Sequence, residues 1–182
     1  ALAGYVIDAE GRRFVVVARF AHQHLATEDG AVLDRQPRDL DTLRTAVTYR
    51  KVSDVPVGVF LSGGIDSSTN AALFSEGESS QVKTFSVAYR EEFGSYPSEL
   101  PYARQMAARV GADHHEYLIS TGDLVSFLPR MVHLQDEPIA DPVCVPVYYV
   151  SKLAREHGVT VCQVGEGADE LVKLHEAGII RI

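Results

Sequence analysis

The sequence predicts an α/β fold in which a parallel β-sheet is covered by helices on both faces. A chain of 182 residues, 46% of them hydrophobic, is long enough for one full core. Short apolar runs at 55–61, 82–89, 114–119 and 159–164 alternate with stretches of helical spacing, the order expected of βαβ units. Two of these runs end in glycine- and acid-bearing loops, SGGIDSS and GEGADEL, which a parallel sheet would carry beyond its C-terminal strand ends.

Residues 4–20, GYVIDAEGRRFVVVARF, form two β-rich runs around Ala9-Glu10-Gly11 and predict a hairpin. Residues 22–38 have no period and read as a linker, so 1–38 is expected to be a remnant or edge of a preceding domain. From Asp39, with Asp39 or Asp41 as cap, Leu40, Leu43, Val47 and Val52 follow loosely helical spacing, with Arg44, Arg50 and Lys51 on the wet face. VPVGVFL reads as a buried strand from Val55 to Leu61. The spacing then predicts a helix over 67–75 ending near Gly77, a strand over 82–89, and a helix over 99–110 stopped by Gly111. A strand over 114–119, helices over 123–132 and 142–157, and a strand over 159–164 complete the pattern.

The formal charge of −8 and the pI near 5.3 argue against a nucleic-acid surface, which would show a basic stripe. No apolar run approaches the roughly 18 residues of a membrane span, and no charged-then-apolar leader occurs, so a soluble, cytoplasmic protein is expected. Cys144 and Cys162 lack a CxxC partner and read as buried thiols rather than zinc ligands. His114 and His115, adjacent on a strand, would point to opposite faces and cannot share one ion. Tyr148 and Tyr149 read as helix packing.

The first loop has the parts of a pyrophosphate cradle. Gly63 and Gly64 let backbone and ligand approach closely, the N–H groups from Gly63 to Ser68 would point from a helix N-terminus towards an anion, and Ser62, Ser67 and Ser68 add hydroxyls. Asp66 adds a carboxylate suited to a magnesium ion bridging phosphates. The motif is neither GxxxxGK[ST] nor GxGxxG. The second loop would bring Glu166, Asp169 and Glu170 to the same edge; magnesium held by Asp66 and Asp169 would neutralise them and leave Glu166 as a general base. A Ser/Gly helix cap and a solvated acidic turn are the alternative readings of the two loops.

LSGGIDSS resembles the PP-loop of the N-type ATP pyrophosphatases. The likeness extends through SDVPVGVFLSGGIDSS at 53–68, KTFSVAY at 83–89, ARVGADHHEY at 108–117, DEPIADP at 136–142 and VGEGADEL at 164–171, in the order found in the synthetase domain of glutamine-dependent asparagine synthetases. The resemblance implies an adenine nucleotide α-hydrolase-like (Rossmann-like) fold over 39–171. It also implies Mg-ATP, an aspartate or similar carboxylate acceptor, and ammonia delivered from a glutaminase domain. The implied chemistry runs through an acyl-adenylate and releases AMP and pyrophosphate.

Carried over by position, the resemblance gives Leu61 and Val87 backbone contacts to adenosine, and Ser62, Gly63, Gly64, Asp66, Ser67 and Ser68 the pyrophosphate. Val164 and Gly165 match a Ser-Gly pair at the nucleotide; with valine here, only the backbone contact carries over. Asp66 and Asp169 match the magnesium ligands, Glu166 the base that deprotonates ammonia, and Glu99 an acid near the nucleotide. Pro138 and Pro142 would force an extended turn near which the acceptor acid sits, with Asp136, Glu137 and Asp141 positioning its amino group or serving only the turn.

A homodimer is compatible with the resemblance. The chain begins Ala1-Leu2 without the family's N-terminal cysteine nucleophile, and 172–182, VKLHEAGIIRI, does not continue the family pattern towards its catalytic lysine, a role not transferred to Lys173. A fragment, or a sequence closed up over gaps, is therefore expected. The competing expectations are a relative acting on another acid, such as a β-lactam synthetase or an amidating enzyme of polysaccharide biosynthesis, and a nucleotide-binding module without catalysis.

Overall fold

The computed structural model describes residues 3–7, 13–18, 36–91, 98–135 and 141–165, with side chains described from residue 41 onward. The elements in chain order are β1 (Ala3–Ile7), β2 (Arg13–Ala18), α1 (Gln36–Arg50), β3 (Val57–Phe60), α2 (Ile65–Ser75) and β4 (Lys83–Tyr89). They continue with α3 (Leu100–Val110), β5 (Asp113–Ile119), α4 (Thr121–Gln135), α5 (Cys144–Glu156) and β6 (Val161–Val164). The α/β fold expected from the apolar periodicity is present.

The strands form one sheet in the order β1-β2-β6-β3-β4-β5. β6, β3, β4 and β5 run parallel; Val59 of β3 sits between Thr84 of β4 and Gln163 of β6. The chain moves from β3 outward through β4 and β5, then returns to the other side of β3 as β6. Strand order therefore reverses between β3 and β6, the switch point where parallel sheets leave a ligand crevice.

Alternation along the strands sends side chains to two cores. Val59 and Leu61 pack with Val47 of α1, Ala71, Leu73 and Phe74 of α2, and Ala103 and Ala107 of α3. Phe85 and Cys162 face the other way, onto Val150, Leu153 and Ala154 of α5. On that same face Ile119, Phe127, Val145 and Tyr149 join β5, α4 and α5. Phe85, Leu61, Ile119 and Val59 are at most 1% exposed; burying each such side chain contributes about 1.5–3 kcal/mol.

Several boundaries differ from the sequence expectation. The N-terminal hairpin forms, with β1 antiparallel to β2, but β2 also pairs parallel with β6 (Val15 opposite Val161, Val16 opposite Cys162), so the hairpin extends the same sheet. α1 begins at Gln36, inside the stretch read as linker, and stops before Val52, which is 85% exposed. β3 begins at Val57, and Val55 is exposed, because Pro56 offers no N–H to a ladder. α5 starts at Cys144 rather than Pro142: Asp141 Oδ1 accepts the Val143 N–H at 2.9 Å and turns the chain ahead of the helix. That favours the turn role for Asp141; Asp136, Glu137 and Pro138 lie outside the described residues.

Arg44 and Lys51 are not a purely wet face. Arg44 pairs with Glu76 at 2.7 Å and Asp41 at 2.9 Å, and Lys51 with Glu78 at 3.0 Å, tying α1 to the turn after α2. His114 and His115 do face opposite ways. His114 Nδ1 meets Thr84 Oγ1 at 2.8 Å, whereas the His115 ring lies 5.6 Å from Phe85 and 3.7 Å from His157. Tyr149 stacks on Tyr117 and Tyr148 on Phe127, as expected of packing residues. Cys162 is buried, and burial pushes its thiol up to about 12, while Cys144 is only half-buried. Among the described residues no helix is long and apolar enough to cross a membrane.

Candidate active site

β3 ends where Leu61 enters the SGG turn, and α2 begins at Ile65 with Gly64 as its cap in extended backbone. The turn is braced from within. Ser67 is 5% exposed, and its Oγ accepts the Ser62 N–H at 3.1 Å, lies 2.9 Å from Ser62 Oγ, and donates towards Gly64 O at 3.2 Å. The Gly64 N–H donates back to Ser62 Oγ at 3.2 Å. Ser67 thus holds the loop's shape with its hydroxyl.

The first intrahelical bond runs from the Ser68 N–H to Gly64 O at 3.0 Å. The set of amides aimed at an anion is therefore narrower than Gly63 to Ser68. Gly64 and Ser68 use their N–H groups inside the loop, and the first turn of α2, from Ile65, stands at the positive end of the helix dipole. Asp66 lies in that turn.

Neighbouring elements fix the loop. Gly63 has φ +94°, and a Cβ there would stand 2.6 Å from the carbonyl oxygen of Glu99 and 3.0 Å from the Ala103 nitrogen. Glu99 caps α3 and its carbonyl accepts the N–H groups of Tyr102 and Ala103, so the start of α3 is packed against the loop. On the other side, the Leu61 N–H donates to Phe85 O at 2.9 Å and Ser86 Oγ donates to Leu61 O. Leu61 is buried, and Val87, two residues along β4, is half-buried at the same C-terminal strand edge.

The second loop begins against the first. A Cβ on Gly165 would lie 3.0 Å from both the carbonyl carbon and oxygen of Asp66, and 3.1 Å from the Ser67 Cα. The residue after β6 and the first turn of α2 are therefore in backbone contact across the switch point. Val164 closes β6 and is half-buried. Leu61, Ser62, Gly63, Gly64, Asp66, Ser67, Ser68, Val87, Val164 and Gly165 thus share one end of the sheet. Glu166, Asp169 and Glu170 lie outside the described residues.

No group of three or more His, Cys, Asp or Glu that could hold a metal occurs among the described residues. A single hard carboxylate such as Asp66 beside helix-terminal amides still fits magnesium, which keeps most of its waters and takes phosphate oxygens as ligands.

Ser86, Asn70 and Gln163 surround the site's foundations and were missed in sequence. All three are buried polar side chains, and Ser86 and Gln163 betray themselves as polar residues inside the apolar strands KTFSVAY and VTVCQV.

Residues 40–176 match the family model described as Asparagine synthase. Asparagine synthetase [glutamine-hydrolyzing] 1 of Bacillus subtilis is 43% identical over 131 residues, covering 72% of this chain and 20% of the relative. A putative asparagine synthetase [glutamine-hydrolyzing] of Mycobacterium tuberculosis is 38% identical over 156 residues, 85% of this chain and 23% of the relative. Among solved structures, an NH3-dependent NAD synthetase from Campylobacter jejuni aligns with a TM-score of 0.48 at 16% identity, covering 72% of this chain and 57% of that one. The chain spans between 20% and 23% of the length of these two curated relatives. With the matched region running through both glycine loops, the chain belongs to the asparagine synthase family.

Proposed function

We propose that the protein to which this chain belongs amidates a carboxylate, aspartate, at the expense of ATP. The observation that carries the reading is the apposition of Gly165 to Asp66 and Ser67, which brings the residue that opens the second glycine-acid motif against the first loop at the switch point in a member of this family. The names of the relatives, glutamine-hydrolysing asparagine synthetases, support aspartate as acceptor and a separate glutaminase domain as the ammonia source.

A carboxylate is a poor electrophile for ammonia. In the proposed first step a carboxylate oxygen of aspartate attacks the α-phosphorus of ATP, the bond to the β-phosphate oxygen breaks, and pyrophosphate leaves. Little covalent help is needed; neutralising charge on the departing pyrophosphate is the larger requirement. The first-turn amides of α2 supply part of it, with the Ser62–Ser67 brace holding them in shape before ATP arrives. Backbone at Leu61, Val87, Val164 and Gly165 would seat adenosine and ribose, and Ser62, Gly63, Gly64 and Ser68 the phosphates. In the second step ammonia attacks the acyl carbon, AMP leaves with the electrons of the acyl–oxygen bond, and Glu166 takes the proton shed by nitrogen. Magnesium, held by Asp66 and Asp169, would neutralise phosphate charge when bound.

The test is to incubate the full-length protein with Mg-ATP, aspartate and ammonia and follow AMP, ADP and asparagine by mass spectrometry, with Asp66→Asn as control. AMP and asparagine in equal amounts, both lost in the variant, support the reading. AMP formed without aspartate would point to another acceptor, and ATP binding without AMP to a non-catalytic module.

A further inference from the structure

One turn beneath the two loops, α2 and β6 face each other through polar side chains that nothing in the proposed chemistry uses. Asn70 is four residues after Asp66 on α2, hence on the same helix face, and Gln163 is the next-to-last residue of β6, two residues before Gly165. They are 4% and 7% exposed. Asn70 Nδ2 and Gln163 Oε1 have no hydrogen-bond partner among the described residues. Both side chains line one small, half-open recess of about 10 Å³, walled otherwise by Leu43, Ala46, Val47, Arg50 and Val164.

A buried donor and a buried acceptor left unmade each cost free energy, so the cavity calls for an occupant that satisfies both. Its size admits one water and excludes a phosphate or carboxylate. A cation is disfavoured by the Arg50 guanidinium in the wall. A water both donates and accepts, and so suits the two amides in either orientation.

We propose that Asn70 and Gln163 bind a single ordered water, and that this bridge acts as a positioning device, setting the separation of α2 from β6 on which the Asp66–Gly165 contact depends. Arg50 and Gln163 also line a second, larger pocket of about 220 Å³. The inference about ATP rests on the function proposed above; the inference about the water does not.

The test uses the full-length protein. A crystal structure that resolves ordered solvent, or water–amide cross-relaxation by NMR, is expected to find one water within hydrogen-bond distance of both amides. Asn70→Leu and Gln163→Leu each leave one polar group stranded and lower the folding equilibrium constant about tenfold or more, whereas the double variant recovers most of that loss. Each single variant also raises the KM for ATP several-fold with little change in kcat, while Val150→Ala, a destabilising change in the α5 core on the other sheet face, leaves that KM unmoved.

Additive losses in the double variant, or a direct Asn70–Gln163 hydrogen bond without water, would overturn the bridge. If the double variant fails to fold, the wild-type water measurement decides. An unchanged KM for ATP beside a confirmed water would overturn the positioning role, and a protein that makes no AMP but shows the coupled stability would retain the bridge and lose the functional reading.

Discussion

Gly165 lies so close to Asp66 that a single added carbon would stand 3.0 Å from the Asp66 carbonyl. Both partners are backbone, one just after β6 and the other in the first turn of α2, so neither can swing aside as a side chain would. Gly165→Ala is therefore expected to push the second loop off the first. Overpacking of this kind costs about 1–3 kcal/mol. Because the strain falls at the crevice, ATP affinity should drop at least tenfold while the far-UV spectrum is kept, which isothermal titration and circular dichroism of the same sample will check. Unchanged affinity would remove the contact from the site.

Gly63 meets two obstacles at once. Its φ of +94° is closed to residues with a Cβ, and the Glu99 carbonyl oxygen would be 2.6 Å from that Cβ. Gly63→Ala should cost about 1–3 kcal/mol in backbone strain alone, and more from displacing α3. The expected readout is a lowered melting temperature together with loss of AMP formation. A variant with full activity would show that α3 gives way freely.

The Ser67 hydroxyl is turned into the loop, yet its loss should be felt at the site. Ser67→Ala leaves the Ser62 N–H without its acceptor and frees Ser62 Oγ from its partner. The lost bonds are part-buried, and a hydrogen bond of that kind contributes about 0.5–1.5 kcal/mol. The loop then has several shapes in place of one, so the KM for ATP should rise and the loss of affinity should exceed that of Ser68→Ala, whose amide stays bound to Gly64 O. Steady-state kinetics on the two variants separate a brace from a direct phosphate ligand.

The parallel core was legible because its period was intact. Val57 and Val59 alternate with buried residues of the opposite face, and Gly111 and Gly158 sit where the helices stop. The partners of the strands were less so, since β2 and β6 are joined over a separation of well over a hundred residues that no local pattern encodes. The start of α1 was misplaced because Gln36 and Pro37 look like linker, although proline is well suited to a first helical turn. At the site, the identity of the loop residues was readable but their direction was not. Ser62, Ser67 and Ser68 look alike as hydroxyls in sequence; only the fold turns Ser67 inward. Gln163 and Asn70 went unread because their significance lies in facing each other across two elements.

A network on the α3 face of the sheet gives the chain a pH dependence whose sign can be worked out. His114 Nδ1 meets Thr84 Oγ1, its Nε2 lies 3.2 Å from Glu116, and Arg104 grips Glu116 with two hydrogen bonds of 2.8 and 2.7 Å. Burial holds the His114 pKa below its ordinary 6.5 despite the Glu116 carboxylate beside it. The hydrogen bond from Arg104 holds Glu116 below its ordinary value. Between the ordinary and the depressed value of His114, the unfolded chain binds more protons than the folded one, so stability rises with pH through that window. It should be fully present above about pH 7 and decline as the pH falls through about 6.5. The Glu116 contribution has the same sign and disappears only in the more acid range below its ordinary value. His114→Gln keeps a polar partner for Thr84 and removes the titration, so urea unfolding of wild type and variant between about pH 7.5 and 5 should show the slope flattened in the variant. Equal slopes would assign the dependence to another group.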